Sequence, residues 1–509
     1  MNKTAFRGLF LLILAGACLL RFPGLSLRPM HHDEANQAVK FGMLLEKGEY
    51  QYDKKDHHGP ALYYLTLPLA RALSKSTLAS LDEATLRLVP AIFGLGIILL
   101  LLLFAQGMSR PAVLAAGLFA ALSPAFSYYS RFYIQETLFV FFVLGLLGTL
   151  GRYLFRPSAG WAAAAGFFAG MAFATKETSV IIFATSAGAL VLAGLIRKKD
   201  SGTPIASLKI HRGHVFLALG VAVFTAVLFF SSFFKNPKGI LDSLLAFQAY
   251  FGKSGEPGFH AHPFSYYLGL LTLSKSGGLV WSEALVLALA VCGIFASLKN
   301  RNPFPLFISG YALFTAAIFS AIPYKTPWNL LPFHLGFVIL AGIGTAFIFQ
   351  SLRKNFKKAL AGLLLAGGIF HLGWQSYRAN FRYFADPRNP YVYAQTSTDY
   401  PKLIRRVEEI AALHPDGRRL LVKVVCDAYE TWPLPWSLRR YERVGYWQDW
   451  RAAGAFDGVP LIIASLDQAD RIQPLVQDKY QSEYYGLRPD VLLAVFVRQD
   501  LWDRFLKRE

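Results

Sequence analysis

Residues 86–106 read LRLVPAIFGLGIILLLLLFAQ, a run of 21 residues whose one charge is Arg87. About 20 apolar residues at 1.5 Å rise cross the hydrocarbon core of a bilayer as a helix. Lipid offers no partner for backbone amides, so such a run is helical. Comparable blocks occupy 8–25, 111–129, 134–151, 160–175, 179–196, 214–234, 279–298, 303–322, 329–350 and 358–375. The pattern predicts about eleven transmembrane helices, within a range of ten to thirteen, with 111–129 and 160–175 the weakest. Phe264–Leu273 is apolar but too short to span, and reads as an interfacial or re-entrant helix.

Composition agrees. The 509 residues are 54% hydrophobic and 17% charged, against about 25% charged in soluble chains. The net charge of +20 would suggest nucleic acid in a soluble protein. Here the cations flank apolar blocks, where they set orientation and meet lipid headgroups, so nucleic acid is not expected as a partner. Cys18 and Cys292 lie in apolar blocks and Cys426 in a polar region, which argues against a disulfide framework. Lys3, Arg7 and the run to Ala15-Gly16-Ala17-Cys18 have the outline of a cleaved signal, but Leu19 and Leu20 continue the apolar run. An uncleaved anchor helix is the expectation.

Lys and Arg are denser in the segments that lie inside if the N-terminus is cytoplasmic, Arg110, Arg152, Lys299, Arg353 and Lys354 among them. An odd number of spans then puts the C-terminus outside the cell membrane. Two outer segments are long, 26–85 and 235–278, and long loops are usually functional. The first carries a helical pattern over Glu34–Lys47, a break at Gly48 and a second helix from Pro60. From 376 the pattern becomes soluble. Tyr400–Leu413 reads as an amphipathic helix, and Leu420–Val425, Pro460–Ser465 and Val491–Val497 as strands. The fold class is therefore a mainly α polytopic membrane domain, 1–375, with a small α/β domain, 376–509.

Five clusters of reactive side chains fall in the outer segments. The first is His31-His32-Asp33-Glu34, where a carboxylate can act as a base or bind a cation; a merely solvated loop explains it equally in isolation. The second, Tyr52-Asp53 to His57-His58-Gly59-Pro60, offers imidazoles for phosphate or a cation, or a capped turn. The third runs from Tyr128 and Tyr129 through Arg131 to Glu136. Arg131 suits phosphate through its planar fork, unless it pairs with Glu136 to hold the turn. The fourth is Lys176-Glu177, and the fifth Tyr324-Lys325-Thr326-Pro327-Trp328. Cations for phosphate, carboxylates for hydroxyls and rings for sugar faces suit an anionic, lipid-linked sugar. His260 and His262 add imidazoles on the same side; a divalent metal is possible, although no pair has tight zinc spacing and none is required.

These motifs carry a resemblance to the flippase-activity-associated family of class C glycosyltransferase-like membrane proteins. Its relatives are the protein O-mannosyltransferases and lipid A aminoarabinose transferases. The resemblance rests on His32-Asp33-Glu34-Ala35, Tyr52-Asp53 with His58-Gly59-Pro60, Ser130-Arg131-Phe132, Thr175-Lys176-Glu177 and Tyr324-Lys325-Thr326-Pro327-Trp328. Tyr393-Ala394-Gln395-Thr396-Ser397 and Trp432-Pro433-Leu434-Pro435-Trp436 extend it toward the C-terminus. It implies transfer of a hexose or pentose from a polyprenyl-phosphate donor to an acceptor on the outer face, with inversion. Asp33 would be the base and Glu34 would orient the acceptor or a cation. His32, His57, His58, Tyr129, Arg131, Glu136, Lys176, Glu177, Tyr324, Lys325 and Trp328 would bind substrate. Two other readings stand beside it: a translocator or accessory factor for lipid-linked sugars, and a non-catalytic membrane scaffold.

Overall fold

The computed structural model describes residues 1–54, 58–201, 211–254, 258 and 260–507. His57 lies outside the described residues. The chain begins with α1 (Lys3–Arg21) and continues into α2 (His32–Lys47), α3 (Ala61–Ala72) and α4 (Glu83–Leu100), whose last turns tighten over Leu101–Gln106. Then come α5 (Arg110–Leu122), α6 (Pro124–Tyr129), α7 (Glu136–Phe155), α8 (Ala159–Phe173), α9 (Ser179–Ser201) and α10 (Arg212–Phe230). Outside the bundle lie α11 (Lys238–Ser254), α12 (Tyr266–Thr272) and a hairpin of β1 (Ser274–Ser276) and β2 (Leu279–Trp281). The bundle closes with α13 (Ala284–Asn300), α14 (Pro303–Ala321), α15 (Leu331–Ser351) and α16 (Asn355–Tyr377).

Among the described residues, α1, α4, α7, α9, α10, α14, α15 and α16 are long and apolar enough to cross a bilayer. α5, α8 and α13 are shorter apolar helices. Together they occupy the eleven predicted segments. α7 and α15 are the most enclosed and form the centre, while α1, α10 and α16 turn most of their apolar surface outward, as lipid-facing helices do. α13 and α15 approach backbone to backbone: a Cβ on Gly293 would sit 2.0 Å from the Leu340 carbonyl oxygen, so a side chain at this crossing would push the helices apart.

Three boundaries differ from the sequence reading, each for a local reason. The block 111–129 is two helices, because Ser123 caps α6 by accepting the Phe126 N–H at 3.3 Å and Pro124 starts a new first turn. The block 279–298 begins as a strand: Gly277 and Gly278, both at positive φ, turn β1 back onto β2, and the helix starts only at Ala284. The segment 235–278 is no bare loop, since α11, α12 and the hairpin fill most of it. The break at Gly48 is as expected, a left-handed residue (φ 72°) closing α2.

Beyond α16 the helix widens into one π-turn over Arg378–Arg382. The soluble unit then runs α17 (Tyr400–Leu413), β3 (Val422–Val425), α18 (Leu434–Ser437), β4 (Val444–Trp447), β5 (Leu461–Ser465), α19 (Leu466–Val476), β6 (Tyr480–Arg488), β7 (Val491–Arg498) and α20 (Gln499–Leu506). Its sheet has the order β4-β3-β5-β7-β6, parallel across β4, β3 and β5 and antiparallel from β5 to β6. The mainly apolar and mainly buried runs β3, β5 and β7 are the strands the sequence predicts. The edge strands β4 and β6 carry mixed, half-exposed residues and give no such signal. The change of composition at 376 precedes the change of core. Ala379 and Tyr391 pack with the membrane helices, and the soluble core starts at Tyr400.

Candidate active site at one end of the bundle

The loop after α1 enters α2 through a reciprocal cap. The His31 ring accepts the Asp33 N–H at 3.0 Å, and Glu34 accepts the His31 N–H at 3.1 Å. Nδ1 of His31 is thereby an acceptor, so Nε2 carries the proton and donates to the Tyr393 carbonyl at 2.9 Å. Burial lowers the pKa of His31 despite the Asp33 and Glu34 charges, in keeping with this neutral tautomer. The first turn of a helix is a favourable place for an anionic side chain, and Asp33 stands there.

The two carboxylates of the pair have opposite surroundings. Glu34 is wholly enclosed. Its Oε1 accepts Arg87 Nε at 2.7 Å and the Tyr133 N–H at 2.8 Å; its Oε2 accepts Arg87 Nη2 at 2.7 Å and the His31 N–H. Burial alone would raise its pKa, but Arg87 and Arg28 outweigh it and hold the carboxyl down to about 2. Glu34 therefore ties α2 to α4 and to the turn before α7, and has no oxygen left to orient an acceptor. Asp33 is 41% exposed, and its nearest described partner is the His31 ring at 3.9 Å, already engaged elsewhere.

Around Asp33 the aromatic residues converge. Trp328 meets His31, Phe132, Tyr129 and Tyr393 with ring centroids 5.8–6.1 Å apart. Tyr324 lies against His260 with the rings tilted by 38° and centroids 4.6 Å apart, His260 binds the Tyr393 hydroxyl at 2.8 Å, and both His260 and Tyr324 sense the Asp33 charge. His32 packs against Trp432 of the soluble unit at 6.0 Å. The enclosure is thus built from α2, the turn before α15, the segment before α12 and two segments of the C-terminal region, at Tyr393 and at Trp432.

Next to it lies a second buried set. Lys176 donates to Glu136 at 2.7 Å and to Asn329 at 2.9 Å. Asn329 follows Trp328, so the two sets share one turn. His58 binds Glu177 at 3.2 Å. The backbone of the His58-Gly59-Pro60 segment lies on the Thr175-Lys176-Glu177 turn: the Gly59 N–H donates to the Thr175 carbonyl and the Ala61 N–H to the Ala174 carbonyl. Gly59 has no room for a side chain, since a Cβ would sit 2.1 Å from the Ala174 oxygen, which is backbone. Gly59→Ala is expected to cost about 1–3 kcal/mol, as overpacked cores do, read as a lower melting temperature of the purified protein. An unchanged melt would show that these turns separate freely.

The pair His58–Glu177 gives a pH signature. Burial lowers the imidazole pKa, but Glu177 more than offsets it, so the folded value lies above the ordinary 6.5. Its contribution to stability is complete below about 6.5 and is lost as pH rises through the folded value. The wild type should therefore lose more melting temperature than His58→Gln between pH 6 and pH 9. Parallel curves for the two proteins would dismiss the pair as a stabilising ion pair.

Several residues expected to bind substrate are spent on the fold. Arg131 donates to the carbonyls of Leu20, Arg21, Pro23 and Gly24, closing the end of α1, and lies over Phe381. Glu136 pairs with Lys176 and not with Arg131. Burial and the nearby Arg28 and Arg87 charges hold its pKa down to about 9. Lys325 donates to the carbonyls of His262 and Ile322. The Tyr129 hydroxyl donates to the Tyr391 carbonyl. Among the described residues no three His, Cys, Asp or Glu side chains are grouped to hold a metal ion, and the His262 ring is stacked on Tyr266.

Sequence reasoning gave no site role to Arg28, Asn329, Arg87 or the sealed pair Glu283–His334, although the last three residues stand out as polar groups near helix ends. Arg87 carried a signal, being the lone charge of an apolar run. A cavity of about 370 Å³ between α1 and α5 is lined by Leu, Ile, Ala and Gly alone and lies away from this chemistry.

Known proteins bear on this geometry. A family model described as dolichyl-phosphate-mannose-protein mannosyltransferase matches residues 69–230, from α3 to the end of α10, a segment that excludes Asp33. No curated protein matches the sequence. ArnT from Cupriavidus metallidurans in the apo state is similar with a TM-score of 0.63 at 17% identity, covering 96% of this chain and 98% of that one. Bound to undecaprenyl phosphate, the same protein gives 0.62 at 17% identity, with 97% and 99% covered. The Archaeoglobus fulgidus oligosaccharyltransferase tethered with an acceptor peptide gives 0.57 at 13% identity, with 98% and 77% covered.

Proposed function

We propose that this chain, an integral membrane protein with the class C glycosyltransferase fold, transfers a sugar from a polyprenyl-phosphate donor to an acceptor hydroxyl. The observation that carries the reading is the Asp33 carboxylate, which closes no hydrogen bond among the described residues and lies by the His31 ring, itself packed against the cluster of Trp328, Tyr324, Tyr393 and His260. Asp33 takes the proton of the acceptor hydroxyl, whose oxygen attacks C1 of the sugar. The C1–O bond to phosphate breaks and the electron pair leaves with the phosphate. Attack opposite the leaving group inverts C1. A phosphate leaving group needs no protonation but does need a cation, because its charge grows as it departs. The rings offer faces for the sugar.

The topology that suits this reading has the N-terminus in the cytoplasm and the Asp33 end on the outer side of the cell membrane. Arg152 at the opposite end donates to the Leu102 and Leu103 carbonyls, and that end is rich in Lys and Arg. The test is sugar transfer by the purified protein from polyprenyl-phosphate sugars to candidate acceptors, wild type beside Asp33→Asn. Transfer by the wild type alone supports the proposal. Reconstituted vesicles that translocate the lipid-linked sugar, with no transfer in either protein, would replace it with the translocator reading.

A further inference from the structure

The proposed transfer leaves a doubly charged phosphate monoester beside Asp33, and a cation is needed there. Three cations suggested by the sequence are committed elsewhere: Arg131 to four carbonyls, Lys325 to two, and Lys176 to Glu136 and Asn329. The imidazoles near Asp33 do not fill the gap. His31 is held neutral by its two bonds, and burial lowers the pKa of His32 and of His260.

Arg488, the last residue of β6 in the soluble unit, is a further cation near this group. It is partly exposed, and its one described hydrogen bond runs from Nη2 to the Tyr429 carbonyl at 2.7 Å. Three residues further on, Trp432 packs against the His32 ring with centroids 6.0 Å apart. Arg488 also senses the charges of Asp33 and Glu430. A guanidinium has five N–H donors in a planar fork, so one bond to a carbonyl anchors it and leaves donors for a bidentate partner. Resting on the proposed transfer reaction, we propose that Arg488 binds the phosphate of the lipid-linked donor and retains the lipid phosphate released after transfer. The reacting centre is then completed by a residue of the C-terminal unit, and the membrane helices alone lack its phosphate contact.

This accounts for two features. Asp33 and Arg488 sit near each other without forming a close ion pair, as a base and a phosphate contact on opposite sides of a reacting carbon would. Glu430 also lies near Arg488, and its carboxylate is a counter-charge for the guanidinium when the phosphate has left.

The experiment uses the full chain in detergent or nanodiscs, with undecaprenyl phosphate as the probe and a polyprenyl-phosphate sugar as donor. Arg488→Gln keeps a donor for Tyr429 but removes the charge, and Arg488→Lys keeps the charge but not the fork. We expect Arg488→Gln to weaken undecaprenyl phosphate binding, and product inhibition by it, by about tenfold to a hundredfold, the usual scale for a charge-assisted contact. Donor KM should rise with it, Arg488→Lys should recover part of the loss, and the melting temperature should stay near that of the wild type. Unchanged undecaprenyl phosphate affinity in Arg488→Gln, or a loss that merely follows a lowered melting temperature, would overturn the assignment. The binding measurement does not depend on turnover. If the wild type transfers nothing yet loses undecaprenyl phosphate through Arg488→Gln, the phosphate site stands and the transfer reaction falls. If Asp33→Asn abolishes transfer while Arg488→Gln leaves donor KM unchanged, the reaction stands and the phosphate site falls.

Discussion

Asp33→Asn should lower the rate of sugar transfer by about 10²–10⁴-fold, the span attributed to a positioned general base, while leaving the fold intact. The dissociation follows from its surroundings. Among the described residues the Asp33 carboxylate closes no hydrogen bond, and its backbone N–H, which the substitution preserves, makes the contact to His31. A surface change of this kind shifts stability by about 0.5 kcal/mol or less. Rates measured beside melting curves on one preparation decide the point. A variant that transfers at the wild-type rate removes Asp33 as base; one that melts early removes the inference drawn from its exposure.

Glu34→Gln, one residue on, should do the reverse and unfold the site. Glu34 Oε1 accepts Arg87 Nε, the Tyr133 N–H and, at 3.5 Å, Arg28 Nη2, and Oε2 accepts Arg87 Nη2 and the His31 N–H. Whichever way the amide is turned, its NH₂ faces at least two donors, and Arg87 keeps a buried charge with no counter-ion. Breaking a buried pair on one side costs about 3–5 kcal/mol. We expect loss of most folded protein at the growth temperature and, in what survives, transfer reduced with it. Thermal melting and yield of monodisperse protein read the effect. A variant that melts with the wild type would show that the bidentate pair is dispensable.

The neighbours Asp33 and Glu34 also show what the sequence could tell and what it could not. Periodicity and block length located the eleven apolar helices and the three buried strands, because lipid and a dry core leave few choices for a chain. Order along the chain brought the five clusters to one end, and the described members meet there. The roles inside the clusters were not legible. A lone Arg in a tight turn looks alike whether it faces phosphate or four carbonyls, and Arg131 faces carbonyls. Adjacent acidic residues look alike until a helix cap points one inward and the other out. Arg488 gave no sign at all, since nothing local in an edge strand tells which distant loop it approaches.

The carbonyl of Tyr393 fixes which nitrogen of His31 carries a proton, and the neighbouring Gln395 and Thr396 bind the Pro29 and Met30 carbonyls. This strip of chain lies beyond the compositional border near 376, yet it is bonded to the loop that presents Asp33. For anyone recombining this protein with a distant relative, the usable crossover therefore lies near Ser397 rather than at the end of the last apolar helix. A chimaera cut at the earlier point would inherit its hinge from one parent and its lock from the other.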